Sequence, residues 1–186
     1  MRIIGGNFKG KKILLPRDEK TRPLRDLVKE SIFNLLLHSK KFDCSIDESN
    51  VLDLFSGTGS FGLECISRNS RMVNFFENHS EALNVLKKNV NSLKVNNKCK
   101  IIEKDCFEYF NTQESFKEKF DVIFMDPPYK EKRVNLLINL IIEKKILKNT
   151  GILLIHRHKN DNITLTKKLK ILDQRIYGIS KIIFGN

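Results

Sequence analysis

The sequence has 186 residues and a mass of 21.7 kDa, a size that suits one globular domain. Hydrophobic residues make up 40% of it but occur in short runs, none approaching the roughly 20 apolar residues of a membrane-spanning helix. The opening stretch MRIIGGNFKGKK is basic and lacks the apolar region of a secretory signal, so we expect a cytoplasmic protein without membrane association.

The net charge of +12 is concentrated at the two ends of the sequence. Residues 1–41 contain eleven Lys and Arg against four acids, and residues 157–186 contain seven against two. Residues 42–156 contain sixteen of each sign. This distribution favours contact with a polyanion such as nucleic acid. The alternative is that biased genomic base composition, which enriches Lys, Asn and Ile together, produced lysines that only solvate the surface.

The first predicted element is a helix within TRPLRDLVKESIFNLLLHS, residues 21–39. Its apolar residues recur at helical spacing, and Pro23 suits the first turn. With the basic residues before it, this helix forms a predicted nucleic-acid-contacting segment, residues 1–41. The residues expected to hold the nucleic-acid backbone are Arg2, Lys9, Lys11, Lys12, Arg22 and Arg25.

From Asn50 onward, short apolar runs alternate with helical stretches. The predicted strands are VLDLF, MVNFFE, KIIEKD, DVIFMD and GILLIH, and the predicted helices include SEALNVLKKNVNSLKV and residues 133–147. The tail LKILDQRIYGISKIIFGN predicts two antiparallel strands that close one edge. Residues 50–186 are therefore expected to form a doubly wound α/β sheet that binds ligands at the carboxyl ends of its strands.

The segment VLDLFSGTGSFGLECISR predicts a strand, a glycine-rich turn and a helix. Gly57, Gly59 and Gly62 satisfy the pattern GxGxxG, and Glu77 follows Gly57 by 20 positions at the end of the next strand. The same pattern is typical of a nicotinamide dinucleotide site, which keeps a dehydrogenase as an alternative. Asp53 favours S-adenosylmethionine instead, because a carboxylate opposes a pyrophosphate but attracts a ligand that carries an ammonium and a sulfonium.

A third acid, Asp105, ends the run KIIEKD, so carboxylates recur at the ends of three successive strands. Asp105 is expected to accept a hydrogen bond from the adenine amine, with Cys106 beside the ring. The alternative is a tight turn and solvated strand ends without a ligand. The predicted cofactor-binding residues are Asp53, Gly57, Gly59, Glu77, Asp105 and Cys106.

The run FDVIFMDPPYK takes a strand directly into Asp126, Pro127, Pro128 and Tyr129. The two prolines stiffen the backbone. Asp126 and a carbonyl of the Pro127 region are expected to accept the two hydrogens of a base amine and to hold its nitrogen in line for methylation. Tyr129 is expected to stack on the flipped base. The alternative is a turn that merely ends the strand. The predicted catalytic residues are Asp126, Pro127 and Tyr129.

These motifs, together with MRIIGGNFKGKKI and TRPLRDLVKESIFNLL, resemble the ribosomal small-subunit methyltransferase D family from end to end. Members of that family methylate N2 of one guanine in 16S ribosomal RNA. The resemblance implies a class I methyltransferase fold with seven strands, the last antiparallel, and S-adenosylmethionine as cofactor. It also implies 16S rRNA within the small subunit or a late assembly particle as partner. We expect a monomer.

The run GILLIHRHK departs from the family, which more often has acidic or neutral polar residues where His156, Arg157 and His158 stand. A metal site needs a third ligand beyond the two histidines, so we expect no metal. The basic strand end is expected to meet RNA phosphate.

Two further functions remain open from the sequence. A DNA adenine-N6 methyltransferase would share the DPPY chemistry, although no separate target-recognition region fits in 186 residues. A catalytically silent RNA-binding assembly factor would keep the fold, but the intact acids and DPPY argue against it.

Overall fold

The computed structural model describes residues 1–16, 24–112 and 116–186. The helices are α1 (Asp26–His38), α2 (Ser60–Ser67), α3 (Ser80–Leu93), α4 (Cys106–Asn111) and α5 (Val134–Glu143). The strands are β1 (Asn50–Asp53), β2 (Met72–Phe76), β3 (Cys99–Ile102), β4 (Phe120–Met125), β5 (Leu147–His158), β6 (Ile171–Tyr177) and β7 (Ser180–Gly185).

The seven strands form one sheet in the order β3-β2-β1-β4-β5-β7-β6. The first five strands in this order pair in parallel, and β7 lies antiparallel between β5 and β6. The prediction of a mostly parallel sheet closed by an antiparallel hairpin is confirmed. The strand order reverses between β1 and β4, which opens a crevice at the carboxyl ends of these two strands.

Helices cover both faces of the sheet because the central strands are apolar on both sides. Val51 and Phe124 belong to the core that packs against α1, α2 and α3. Their neighbours Leu52 and Ile123 belong to the opposite core, with α4 and α5. Successive strand residues face opposite sides, so the central strands contribute to both cores and the sheet is the middle of three layers.

The amino-terminal segment, residues 1–13, folds back on itself through an antiparallel bridge between Arg2 and Lys12. It is fastened to α2 by Glu64, whose fully buried carboxylate accepts hydrogen bonds of 2.8 Å from the backbone N–H groups of Ile4 and Gly5. The buried Lys29 ammonium lies 3.7 Å from that carboxylate. The basic segment is thereby attached to the helix that follows the glycine-rich turn.

Helix α4 and the element boundaries differ from the sequence prediction. The run KIIEKD leaves the sheet at Ile102, and Asp105 then caps α4, which is too short for helical periodicity to be recognised. Strand β5 begins at Leu147, four residues before the predicted GILLIH. The start of the predicted first helix, with Arg22, lies outside the described residues. Among the described residues, no helix combines the length and the apolarity needed to cross a bilayer.

Candidate active site

A cavity of about 840 Å³ opens at the carboxyl ends of β1 and β4, where the strand order reverses. It brings together most of the predicted catalytic and cofactor-binding residues. Those that line it are Asp53, Gly57, Glu77, Asp126, Pro127 and Tyr129. The two predicted sites therefore form one continuous space.

The glycine-rich turn is held by the protein's own oxygen atoms. The N–H of Gly57 donates to Glu77 Oε2 at 2.7 Å, and the N–H of Gly62 donates to Asp53 Oδ2 at 3.2 Å. The N–H of Gly59 donates to the carbonyl of Ser56 at 2.8 Å. These three amides are therefore committed within the chain, whereas a dinucleotide site uses such amides to receive a pyrophosphate. This geometry disfavours the dehydrogenase alternative.

Gly59 shows why this turn requires glycine. Its φ of 84° lies in the left-handed region, and it immediately precedes α2. A Cβ there would lie 2.5 Å from Leu86 Cδ1 on α3. The turn is thus packed against α3 in a conformation that an L side chain would strain.

Asp53 is almost completely buried, with 1% of its surface exposed. The pKa of Asp53 is raised to about 8, mainly by burial; the Gly62 hydrogen bond opposes this rise, and the nearby charges of Asp126 and Glu77 contribute to it. Within the described part of the chain, its Oδ1 is buried without a hydrogen-bond partner. A buried carboxylate oxygen left unmatched beside a cavity is suited to a cationic or hydrogen-bond-donating ligand.

Glu77 lies on the same cavity and links the turn to the start of α3. Its Oε1 accepts from the N–H of His79 at 2.8 Å. Burial raises the pKa of Glu77 despite backbone hydrogen bonds from His79, Gly57 and Asn78 that lower it. Three acids, Asp53, Glu77 and Asp126, thus face one space in a chain of net charge +12. These three acidic side chains fit S-adenosylmethionine, which carries an ammonium, a sulfonium and ribose hydroxyls.

Asp105 and Cys106 lie farther from this space. Asp105 Oδ1 accepts from the N–H groups of Phe107 and Glu108, and its Oδ2 accepts from Asn78 Nδ2 at 3.4 Å. Asn78 itself lines the cavity, so Asp105 adjoins the site through that side chain. Cys106 is 3% exposed and packs in the α4 and α5 core. The contacts of Asp105 and Cys106 with a cofactor stay predictions. The burial of Cys106 in the core does not favour its predicted contact with the cofactor.

The DPPY loop, residues 126–129, follows β4 directly. Asp126 Oδ1 lies 2.8 Å from His156 Nδ1 at the end of β5. The Tyr129 ring makes an edge contact with the His158 ring, with centroids 5.3 Å apart. The DPPY loop therefore packs against the end of β5, and the Asp126 carboxylate is held by His156.

Arg157 corrects the expectation that the basic end of β5 meets RNA phosphate. Its side chain is 2% exposed. Its guanidinium donates to the carbonyl oxygens of Pro128 at 3.2 Å, Tyr129 at 3.0 Å and Glu131 at 3.3 Å. It also forms a hydrogen-bonded ion pair with Asp161. A buried guanidinium committed to loop carbonyls holds the loop and does not reach solvent or RNA.

The residues predicted to bind the nucleic-acid backbone lie on the surface. Arg2, Lys9, Lys11, Lys12 and Arg25 are all exposed. Arg25 also lines the cavity mouth, together with the buried Leu24. Arg25 is thus the one of these five cations that lies at the cavity.

Sequence reasoning missed the roles of His156 and Arg157 and the attachment of the amino-terminal segment by Glu64. The strand alternation of His156, Arg157 and His158 was the available signal, because consecutive strand residues have different surroundings. In residues 1–16, 24–112 and 116–186, no cluster of three His, Cys, Asp or Glu side chains is placed to hold a metal ion.

The seven-stranded sheet with its reversed β7, and the acidic cavity beside the DPPY loop, define a class I methyltransferase that uses S-adenosylmethionine. A family model described as "Conserved hypothetical protein 95" matches residues 1–186. Ribosomal RNA small subunit methyltransferase D of Haemophilus influenzae is 31% identical, covering 96% of this chain and 90% of the relative. The chain belongs to the ribosomal RNA small subunit methyltransferase D family.

Two further comparisons agree with this placement. The protein of the same name from Buchnera aphidicola is 31% identical, covering 94% of this chain and 86% of the relative. The solved structure of yhhF from Escherichia coli, a candidate methyltransferase, has a TM-score of 0.84 at 22% identity, covering 100% of this chain and 96% of that one. The structural likeness bears on the fold alone, and it extends over the whole chain.

Proposed function

We propose that the chain transfers a methyl group from S-adenosylmethionine to the exocyclic N2 amine of a guanine in 16S ribosomal RNA. The observation that carries this proposal is the single cavity in which the DPPY carboxylate, Asp126, lies with Asp53 and Glu77. An amine-orienting group and a cation-binding group are thus next to each other. The family relatives named for the small ribosomal subunit supply the substrate class.

The chemical demand at such a site is the orientation of a weak nucleophile. The lone pair of a base amine is delocalised into the ring, so it attacks only when the hydrogens are held and the pair is directed at the methyl carbon. Asp126 and the carbonyl of Pro127 accept the two hydrogens, and the prolines restrict the backbone that carries them. Tyr129 stacks on the base after it has left its helix. The methylated nitrogen then releases its extra proton, so Asp126 acts here as an orienting acceptor and not as a strong base.

Bound S-adenosylmethionine supplies a methyl group made electrophilic by its cationic sulfur. On the protein side, Asp53 presents an unmatched oxygen for positive charge, and Glu77 accepts from ribose hydroxyls. Asp105 does not line the cavity, and its proposed effect on the adenine group acts through Asn78, which donates to it at 3.4 Å. In the glycine-rich turn Gly57 lines the cavity, whereas Gly59 does not line it and shapes the turn against α3.

The exposed cations of the amino-terminal segment are proposed to hold RNA backbone, with Arg25 at the cavity mouth. Phosphate contacts of this kind position a substrate without reading its sequence. Lys11→Ala should therefore weaken binding to every RNA tested and flatten the dependence of affinity on salt by about one phosphate contact. Equilibrium binding of 30S subunits at several salt concentrations measures this, and a salt-insensitive wild-type affinity would contradict the assignment.

The experiment that tests the proposal is methyl transfer from labelled S-adenosylmethionine to unmethylated 30S subunits and to free 16S RNA, followed by nucleoside analysis. We expect label in N2-methylguanosine, and more of it from subunits than from free RNA. Label in N6-methyladenosine would overturn the target base. Cofactor binding without any transfer would favour the silent assembly factor.

Asp126→Ala tests whether the DPPY carboxylate serves methyl transfer and not cofactor binding. It should abolish transfer while the affinity for S-adenosylmethionine, measured by calorimetry, stays within about twofold of wild type. If the cofactor affinity collapses instead, Asp126 belongs to the cofactor site and the proposed orientation of the amine is wrong.

A further inference from the structure

We propose that His156 is a positioning residue for methyl transfer, which holds the Asp126 carboxylate so that one oxygen remains presented to the base amine. This inference rests on the proposed function of Asp126 and extends it to a residue on a different strand. Strands β4 and β5 pair in parallel with Met125 opposite Ile155, so the next residues, Asp126 and His156, emerge side by side. Their side chains meet at 2.8 Å between Nδ1 and Oδ1.

The hydrogen bond has a defined direction. An ionised carboxylate only accepts hydrogen bonds, so Nδ1 of His156 must carry the hydrogen and donate it to Asp126. In the neutral ring, Nε2 then has no hydrogen. The His156 side chain is 8% exposed, and no hydrogen-bond partner for its buried Nε2 occurs among the described residues. The Nδ1 hydrogen of the ring is thus directed at Asp126, which gains a hydrogen-bond donor.

The consequence for the carboxylate is a fixed rotation. The terminal torsion of an aspartate is broad, so an unrestrained carboxylate would present its two oxygens in many orientations. The His156 bond engages Oδ1 and leaves Oδ2 as the acceptor available to an amine. Pro127 restricts the backbone of Asp126, and the His156 hydrogen bond restricts the side-chain torsions that the proline leaves free.

The Tyr129 ring gives His156 a second contact within the DPPY loop. Its centroid lies 6.3 Å from that of the His156 ring, in an edge arrangement. A substitution that empties this position would therefore disturb Tyr129 as well as Asp126. The informative variants are therefore those that keep the ring volume without the hydrogen-bond donor, or the donor without the ring.

The test compares His156→Phe, His156→Asn and His156→Gln in the full chain with 30S subunits as substrate. Phenylalanine keeps a ring and removes the donor. Asparagine places an amide N–H near the position of Nδ1, and glutamine places it near the position of Nε2, out of reach of Asp126. His38→Asn, an exposed histidine at the end of α1, is the control for a histidine change elsewhere.

We expect His156→Phe and His156→Gln to lower kcat on the order of 10- to 100-fold, with KM and cofactor affinity within about twofold of wild type. His156→Asn should recover most of that loss. A merely structural role would instead give equal losses in Asn and Gln, or losses in cofactor affinity and melting temperature that follow kcat. Either result, or a wild-type kcat in His156→Gln, overturns the inference.

The Asn and Gln variants keep the test decisive even if the phenylalanine variant does not fold. Failure of the proposed function is distinguishable, since wild type would then transfer no methyl group to guanine. If wild type methylates another base, the same variants are measured on that substrate, and the comparison of Asn with Gln still decides the role of His156.

Discussion

Replacing Arg157 by methionine should release the DPPY loop from the end of β5. Methionine keeps most of the apolar length of the side chain but removes the guanidinium. The change deletes the donors to the carbonyls of Pro128, Tyr129 and Glu131 and leaves the Asp161 carboxylate without its partner. The loop would keep its prolines but lose the group that holds its far side.

The expected loss of stability follows from the burial of the two charges. Breaking a buried ion pair by removing one partner costs about 3 to 5 kcal/mol. The Arg157 side chain is 2% exposed, but Asp161 is 18% exposed and can be partly rehydrated. We therefore expect the lower end, about 3 kcal/mol, which for a chain of this size lowers the melting temperature by roughly 6 to 12 °C.

Calorimetric melting and methyl transfer at a temperature well below the transition measure the two effects separately. Transfer should fall on the order of 10- to 100-fold even where the variant is fully folded, because Asp126 and Tyr129 lie on the released loop. Arg175→Met is the matched control, since Arg175 pairs with Asp173 at 3.0 Å but is 46% exposed, and such a pair contributes about 1 kcal/mol or less. Equal melting shifts in the two variants would refute the bracing role of Arg157.

Three other predictions concern the cavity and the segment beside it. Burial raises the pKa of Asp53 from 3.8 to about 8, so its carboxyl should destabilise the fold increasingly as pH rises from about 4 to about 8. Asp53→Asn should flatten that trend in urea unfolding, and an unchanged trend would contradict the burial argument. Gly59→Ala should cost about 1 to 3 kcal/mol and weaken cofactor binding in calorimetry. Gly10→Ala, also at positive φ but in open space, should leave that binding unchanged. Glu64→Ala should cost about 3 kcal/mol and expose residues 1–13 to trypsin, as mass spectrometry of the fragments would show; resistance equal to wild type would count against this anchor.

Much of the sheet was predictable because parallel strands buried on both faces must be nearly continuous apolar runs. VLDLF and DVIFMD could be recognised for that reason, and their polar ends, Asp53 and Asp126, then had to lie at the same edge. The glycine-rich turn at Gly57 and Gly59 could also be predicted from the sequence, because its pattern depends only on neighbours along the chain. The shared direction of parallel strands is what turned these separate motifs into one predicted crevice.

The contacts that hold the DPPY loop were not predictable in this way. The pairing of Asp126 with His156 depends on the register of β4 against β5, and a shift of one residue would have placed Arg157 beside the carboxylate. A sequence alone does not show that register. The expectation that Arg157 meets RNA was wrong for a related reason: its burial follows from the path of residues 128–131 over the strand end.

The two signs of charge in this molecule serve different steps of the proposed reaction. The exposed cations of the amino-terminal segment are proposed to attract a polyanion at long range, an attraction that salt would screen. Asp53 and Glu77 are proposed to act at the cavity, where a carboxylate that is largely buried attracts a cation more strongly than it would at the surface. Methyl transfer removes the positive charge from the sulfur of the cofactor. Under the proposed function, the same carboxylates therefore attract the sulfur of the cationic donor more strongly than that of its thioether product.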